Sequence, residues 1–423
     1  MGETSGDQTF DVIVVGAGIM GSCAAYEAAK LGKSVLLLEQ FDILHHLGSS
    51  HGESRTIRAT YPEPYYPPLV LESARLWDEA QEAAGYRVLT TTPHLDIGPA
   101  DNPSLLAAVS YCSPESLPVK VIDSDSQLSG HFSGTFRLPE GWVAVTTDLG
   151  GVIKPTKAVA MFQALALRHG AVIRDRTRVS EMKPDELAGI RISTADDRIF
   201  RASKCVVTVG AWMGKMIESV SGTKLPIHPL HTLICYWKIN DGFEAAMSPA
   251  AGFPTFISYG DPFIYGTPSL EFPGLIKVAL HAGQPCDPDL RDWTSGGGIA
   301  SAAAVVAEWI EKVMPGRVET AGGPVMTQAC MYSMTPDEDF VIDFLGGEFG
   351  RNVVIAGGFS GHGFKMAPAV GRMVTEMAFG GEAATAERIG VGMSMFSLRR
   401  FEQSPKGNNK DFVPHVSVHG GPN

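Results

Sequence analysis

Two short stretches of the chain combine residue types that could do chemistry. Residues 51–61 read His-Gly-Glu-Ser-Arg-Thr-Ile-Arg-Ala-Thr-Tyr, which sets Arg55 and Arg58 in a stretch containing Gly and Ser. Guanidinium forks match the oxygens of phosphate or carboxylate, so this block suits an anion. A surface loop with solvated arginines would have the same composition. Residues 353–365 read Val-Val-Ile-Ala-Gly-Gly-Phe-Ser-Gly-His-Gly-Phe-Lys. An apolar strand here opens into a turn carrying Gly357, Gly358, Gly361 and Gly363, and a helix is expected from about Ala367 to Phe379. Such a turn permits positive φ and close backbone approach to a flat ligand. The dipole of the following helix favours negative charge developing beside it. The plainer reading is a βα turn in which His362 and Lys365 have no purpose, and glycine density favours the ligand.

Other candidates are ambiguous on their residues alone. Lys277 sits in Leu-Ile-Lys-Val-Ala-Leu-His (275–281), where period-2 alternation puts Lys277, Ala279 and His281 on one face. It is either a solvated face residue or a deliberately placed charge. Cys330, in Gln-Ala-Cys-Met-Tyr, reads as a small core residue. His45, His46, His228 and His231 could ligate a metal, but no third or fourth ligand is suitably spaced, and they read as structural.

These residues need elements to position them, and the first is complete in itself. An apolar strand (Val12 to Val15) runs into Gly16-x-Gly18-x-x-Gly21, and a helix follows to Leu31, ended by Gly32. A second apolar strand, Val35 to Leu38, ends at Glu39. Gly16 makes the tight turn, Gly18 lets a pyrophosphate approach the backbone, and Gly21 lets helix and strand pack closely. Unpaired N–H groups at the helix start face the phosphates, and Glu39 can accept hydrogen bonds from ribose hydroxyls. An ADP-containing cofactor follows, although the unit does not separate NAD from FAD. The Arg55/Arg58 block lies near the end of this first sheet where ligands collect.

Chain-wide properties bound the function. A length of 423 residues implies two domains. Hydrophobic residues at 44% and charged ones at 19% describe a globular protein. The net charge of −12 argues against a nucleic-acid partner and gives no support for an anionic membrane surface. No apolar run is long enough to span a membrane. The first ten residues, with Glu3 and Asp7, lack the features of a signal peptide. Six cysteines without C-x-x-C spacing read as reduced intracellular thiols.

Helix-like and strand-like runs alternate in three stretches. Helices are expected over Val70 to Ala84 and Lys157 to His169, and strands over Ala171 to Arg174 and Cys205 to Val209. Residues 85–150 and 224–325 are richer in proline, aromatics and β-type alternation, with a strand over Gly274 to His281 and a helix near Ala302 to Val313. The expected fold is α/β (α+β overall): a discontinuous Rossmann-like cofactor domain (1–92, 150–223 and 326–400) interleaved with a β-rich substrate domain (93–149 and 224–325). The tail, 401–423, is expected to be irregular or mobile from Pro405 on.

The sequence resembles the sarcosine oxidase family of FAD-dependent amine oxidases, most closely its plant sarcosine/pipecolate oxidase branch. The resemblance covers about residues 10 to 400 and rests on three blocks. They are the N-terminal unit ending Leu-Leu-Leu-Glu-Gln-Phe-Asp, the His-Gly-Glu-Ser-Arg-Thr-Ile-Arg block, and Cys-Met-Tyr-Ser-Met-Thr-Pro-Asp-Glu-Asp-Phe-Val-Ile-Asp followed by Gly-Phe-Ser-Gly-His-Gly-Phe-Lys. The resemblance implies a thioether from Cys330 to the flavin 8α carbon, which reverses its core reading. It implies that Arg58 and Lys365 clamp a substrate carboxylate, and that His51, Ser54 and Arg55 lie near the flavin with Gly361 and Gly363. Lys277 matches a lysine that promotes reaction with oxygen, and Tyr265, Tyr332 and His281 match residues of the substrate pocket. A clamped carboxylate fixes which carbon is presented for reaction, and a cation where O₂ takes an electron stabilises the developing charge.

The chain departs from bacterial members at Ser50 (histidine there), Ser54 (threonine) and Ile257 (methionine). The expected activity is oxidation of a sarcosine- or L-pipecolate-type secondary amino acid to an imine, with O₂ reduced to H₂O₂. The alternative is a larger cyclic or N-methyl secondary amine on the same site; an NAD(P)-dependent dehydrogenase and a catalytically silent flavoprotein are the more distant rivals. The family implies a monomer and a peroxisomal setting, but the chain ends Gly-Gly-Pro-Asn rather than in a Ser-Lys-Leu-type signal, which leaves the cytoplasm open.

Overall fold

The computed structural model describes residues 8–113, 115–270, 272–290, 299–410 and 417–418. The polar N-terminal residues 1–7 and the tail residues 411–416 and 419–423, on which expectations were placed, lie outside them.

The opening unit forms as its sequence requires. Strand β1 (Gln8–Val15) is followed by helix α1 (Ile19–Lys30) and strand β2 (Val35–Leu38). All four β2 residues are buried, as expected of a central parallel strand covered on both faces. Helix α1 has no side-chain cap of its own at Gly18; instead, the Ile19 N–H donates to Ser50 Oγ at 3.0 Å. The helix ends before Gly32, whose φ of +74° a residue with a side chain rarely adopts.

Strand β1 lies between β2 and the strand Ile199–Val207, parallel to both. Val172–Arg174 extends this sheet in parallel beyond β2, and Val353–Gly357 extends it beyond Ile199–Val207. An antiparallel pair, Val179–Asp185 and Gly189–Thr194, attaches at the start of Ile199–Val207, and Val341–Phe344 pairs antiparallel with Val353–Gly357. That antiparallel pair was not anticipated. Its alternation is interrupted by charged residues and by the turn at Gly189, so it gave no continuous apolar run. Helix α1, the helix Pro155–Arg168 and the helix Ala367–Gly380 bury their apolar faces in one core with β1 and β2.

A second, ten-stranded sheet includes His94–Pro99, Trp142–Thr147, His228–Lys238, Ile264–Thr267 and Leu275–Leu280. Its own core holds Trp237, Phe253, Phe256 and Trp309 around the helix Ile299–Val313. The strand Met326–Met334, grouped with the cofactor part in the sequence, is hydrogen-bonded along its length to His228–Lys238 of this larger sheet. Strand β3 (Arg55–Arg58) forms a small third sheet with Gly150–Ile153 and Leu89–Thr91. It leads into helix α2 (Tyr66–Ala84), longer by one turn than its periodicity suggested. Among the described residues, no helix is long and apolar enough to cross a membrane.

The tail expected to be irregular over 401–423 begins in the helix Arg399–Gln403 and includes the strand Ser417–Val418; between them, residues 404–410 form no helix or strand yet are tied down. Lys410 Nζ reaches Glu63 Oε1 at 2.8 Å and Asp339 Oδ1 at 3.2 Å. Asn408 hydrogen-bonds Asp337 and Asp339, and Arg400 forms a two-point ion pair with Asp337 at 2.7 and 3.1 Å. The polar composition of the segment suggested mobility; Lys410 and Asn408 are instead partners for the buried carboxylates of Glu63, Asp337 and Asp339.

Candidate active site

Two adjoining cavities run from the first sheet toward the second. The larger, about 400 Å³, opens at the C-terminal ends of β1 and β2 and is lined by Gly16, Gly18, Glu39, His45, Thr177 and Trp212 among others. Gly16 has φ +97°, and a Cβ there would meet Thr208 O at 2.7 Å, so only glycine fits this turn. A Cβ on Gly21 would lie 1.9 Å from Gly16 O, which accounts for the close packing of α1 on the turn. Glu39 accepts hydrogen bonds from the Ala17 N–H at 2.9 Å and the Phe41 N–H at 3.0 Å, which fix its carboxylate beside the glycine turn. His45 Nε2 lies 3.5 Å from Glu39 Oε1. Read as structural in the sequence, His45 lines this cavity, and only the fold brings it beside Glu39.

The second cavity, about 200 Å³, shares Gly18, Ser49, Ser50, Thr208 and Gly210 with the first. Around it the structure gathers Arg55, Arg58, Tyr265, Lys277, His281, Cys330, Tyr332, Gly361, Gly363 and Lys365. His51 and Ser54 are buried beside them rather than lining the cavity. Arg55 donates to Ser49 O at 3.0 Å, His51 O and Ser54 O at 2.8 Å, and Cys330 Sγ at 3.5 Å, so its guanidinium organises the loop before β3. Cys330 is buried, but at a cavity wall rather than in the core.

Lys277 is 3% exposed, which rules out the solvated-face alternative. Both faces of its strand are covered, so alternation could not distinguish them. Its Nζ donates to Ser54 O at 3.2 Å and to Ser54 Oγ at 3.4 Å, and lies 5.3 Å from the centre of the Tyr265 ring. Burial, with the Arg55 charge second, pulls its pKa down to about 7.

Arg58 and Lys365 line the same cavity. Arg58 donates to Thr60 O, and Lys365 Nζ donates to Tyr61 Oη and to His362 O, both at 2.7 Å. Among the described residues neither forms an ion pair with a carboxylate. Burial, then the nearby Arg58, pushes the Lys365 pKa well below that of a free lysine. His281 Nδ1 is 3.1 Å from Tyr332 Oη, and burial followed by Arg58 and Lys365 lowers its pKa to about 3, so it is a neutral imidazole at ordinary pH. Burial raises the Tyr265 hydroxyl to about 12. A Cβ on Gly361 (φ +78°) would meet His281 Cε1 and Tyr332 Cζ at 2.9 Å, so glycine here lets the turn close on both rings.

These residues fit a dinucleotide longer than ADP alone. The first cavity has the glycine turn, helix start and fixed carboxylate for the adenosine diphosphate end. The second continues from it and contains Thr232 Oγ1, a buried hydroxyl without a hydrogen-bond partner among the described residues. Tyr61, which contacts both Arg58 and Lys365, was missed in the sequence; an aromatic residue three positions after the second arginine was the available signal.

Comparison with known proteins agrees with this geometry. The sequence profile of the DAO family, FAD dependent oxidoreductase, matches residues 11–377. A probable sarcosine oxidase of Arabidopsis thaliana is 56% identical over 98% of both chains. The peroxisomal sarcosine oxidase of Homo sapiens is 33% identical over 87% of this chain and 92% of its own. The monomeric sarcosine oxidase of Bacillus sp. (strain NS-129) is 33% identical over 92% and 97%. Among solved structures, NikD, an unusual amino acid oxidase, superposes with a TM-score of 0.77 at 22% identity over 92% of this chain and 97% of its own. The L-proline dehydrogenase of P. horikoshii gives 0.75 at 24% identity over 94% and 99%. These two likenesses show the fold. The chain therefore belongs to the DAO family of FAD-dependent oxidoreductases, within its sarcosine oxidase group.

Proposed function

We propose that the chain oxidises a secondary amino acid of the sarcosine or L-pipecolate type, with its carboxylate held between Arg58 and Lys365. FAD-dependent oxidation of secondary amino acids is the activity of the group to which it belongs. FAD, when bound, would supply the two-electron redox chemistry that turns the substrate's amine into an imine and reduces O₂ to H₂O₂. The observation that carries the reading is the pair of buried cations, neither in an ion pair among the described residues, facing the same cavity as Cys330 and Lys277.

The chain's own residues have distinct parts. Arg58 and Lys365 fix the carboxylate and so orient the carbon that reacts. His281 is neutral, so it can stand beside an uncharged amine without repelling it or giving it a proton. Tyr332 holds that imidazole in place. Lys277, on the same cavity, brings a positive charge or a transferable proton to where O₂ is reduced. Gly16, Gly18, Gly21 and Glu39 hold the adenosine diphosphate end, and His51, Ser54, Arg55, Gly361 and Gly363 shape the ring end. Cys330 is assigned the covalent thioether to the ring; its thiol on the cavity wall beside Arg55 supports this.

The division into cofactor parts (1–92, 150–223, 326–400) and substrate parts (93–149, 224–325) is supported by sheet membership. The eight-stranded sheet draws only on the first set, while the ten-stranded sheet draws on the second except for Met326–Met334 and Ser417–Val418. A monomer and a peroxide-handling compartment are proposed in line with the names of the Bacillus and human relatives.

A peroxide-coupled assay across sarcosine, L-pipecolate, L-proline and carboxylate-free amines tests the reading. Activity is expected on the amino acids; turnover confined to amines without a carboxylate would overturn the clamp and favour the larger-amine alternative.

A further inference from the structure

Tyr61 lies in the irregular segment between β3 and α2, 3% exposed, and touches both cations of the clamp. Its ring lies 4.1 Å from Arg58 Cζ and 5.4 Å from Lys365 Nζ, measured to the ring centre. Its hydroxyl accepts the 2.7 Å hydrogen bond from Lys365 Nζ. The residue before it, Thr60, accepts from Arg58 through its carbonyl.

The hydroxyl is itself oriented. Tyr61 Oη is 3.4 Å from His362 Nδ1, and His362 Nε2 is 3.0 Å from Glu338 O. A carbonyl can only accept, so Nε2 carries the imidazole proton and Nδ1 accepts from the tyrosine. Burial and then the Lys365 charge keep His362 neutral, as that assignment requires. The chain of donors therefore runs in one direction: Lys365 to Tyr61, Tyr61 to His362, and His362 to the Glu338 carbonyl. Each group is used in the sense its chemistry allows.

Two like charges in a buried site repel, and that repulsion is magnified away from water. A tyrosine suits both: the ring face attracts a guanidinium, and the oxygen accepts from an ammonium. Leucine could fill much of the volume but would hold neither charge. We propose that Tyr61 is the positioning residue that sets the spacing and aim of Arg58 and Lys365, and so makes the site select a carboxylate over a neutral group of the same shape. The inference rests on the reading of Arg58 and Lys365 as the clamp.

The test uses two ether isosteres of sarcosine that cannot lose a hydride to form an imine: methoxyacetate and its neutral counterpart methoxyacetamide. Each is titrated into the FAD-loaded enzyme while the flavin absorbance is followed. Wild type, Tyr61→Phe, Tyr61→Leu and the clamp control Lys365→Met are compared. Tyr61→Phe should weaken methoxyacetate binding by about tenfold, and Tyr61→Leu, which also removes the ring, by about a hundredfold. Any methoxyacetamide binding should change less than threefold in both. With sarcosine as substrate, KM should rise by more than kcat falls.

Methoxyacetate affinity within twofold of wild type in Tyr61→Phe would overturn the inference, as would an equal loss of the amide. Tyr61→Phe keeps the ring and volume and decides the matter if Tyr61→Leu does not fold. The control separates the two readings. If Lys365→Met still prefers the acid as strongly as wild type, the clamp itself is wrong and the inference falls with it. If Lys365→Met loses the preference and Tyr61→Phe keeps it, only the role of Tyr61 fails.

Discussion

The Arg55 guanidinium donates to Cys330 Sγ at 3.5 Å, joining the small three-stranded sheet to the ten-stranded one across 275 positions of sequence. On the proposed thioether, this contact would hold the thiol at the cavity wall. Acid precipitation of wild type should leave yellow colour in the pellet, and Cys330→Ala should release it to the supernatant. Arg55→Met, which removes the charged donor, should lower the protein-bound fraction of flavin. Colour that washes out of the wild type would rule out the thioether.

Lys277→Met should slow the return of yellow colour when oxygen is admitted to enzyme bleached anaerobically by substrate, by about a hundredfold or more. Bleaching itself should change little. Stopped-flow absorbance separates the two phases, and equal slowing of both would remove Lys277 from the oxygen step.

The same lysine makes a prediction about pH. Its folded pKa, about 7, lies below the ordinary 10.5. Between these values the unfolded chain binds a proton that the folded chain does not, so stability rises with pH. The contribution is complete above pH 10.5 and is lost as pH falls toward 7. Urea midpoints measured at pH 7 and pH 9.5 should therefore rise more for wild type than for Lys277→Met. Parallel changes in the two proteins would contradict the depressed value.

Arg400 and Asp337 are 5% and 1% exposed and share two hydrogen bonds. Removing one partner of such a pair leaves a buried charge uncompensated, a loss of about 3–5 kcal/mol. Arg400→Met should show that loss in urea unfolding, whereas a loss below about 1 kcal/mol, typical of an exposed pair, would mean that the carboxylate finds another partner.

Gly16→Ala tests the turn. Its Cβ would sit 2.7 Å from Thr208 O on a backbone with φ +97°. The variant should fold poorly or emerge without flavin, read as the ratio of flavin absorbance to that of the protein. Gly32→Ala has no such neighbour, and only its φ of +74° should weigh on it, so flavin content should be kept.

The dinucleotide unit was legible because every part of it is local: strand, turn, helix and acid lie within residues 12–39, and each constrains its own backbone. Lys277 was ambiguous for the opposite reason. Alternation separates faces only when one meets water, and both faces of its strand are covered. Cys330 and the Arg58/Lys365 pair owed their roles to resemblance, since nothing in the local sequence says that residues so far apart share a cavity. Tyr61 and His45 belong to irregular segments, where no periodicity shows which way a side chain faces. The anchoring of the tail through Lys410 was not legible, because a polar Pro/Gly/Asn segment carries no record of the buried carboxylates it meets.

Placement of the strand Met326–Met334 in the larger sheet has a mechanical consequence. The glycine turn that would hold one end of the dinucleotide belongs to the parallel sheet, whereas Cys330 belongs to the other. On the proposed attachment, the cofactor becomes a strut pinned to one layer by a covalent bond and seated in the second by backbone contacts. Breathing of the two layers would then pull on the ligand itself, so cofactor capture would stiffen the joint between them as well as equip it.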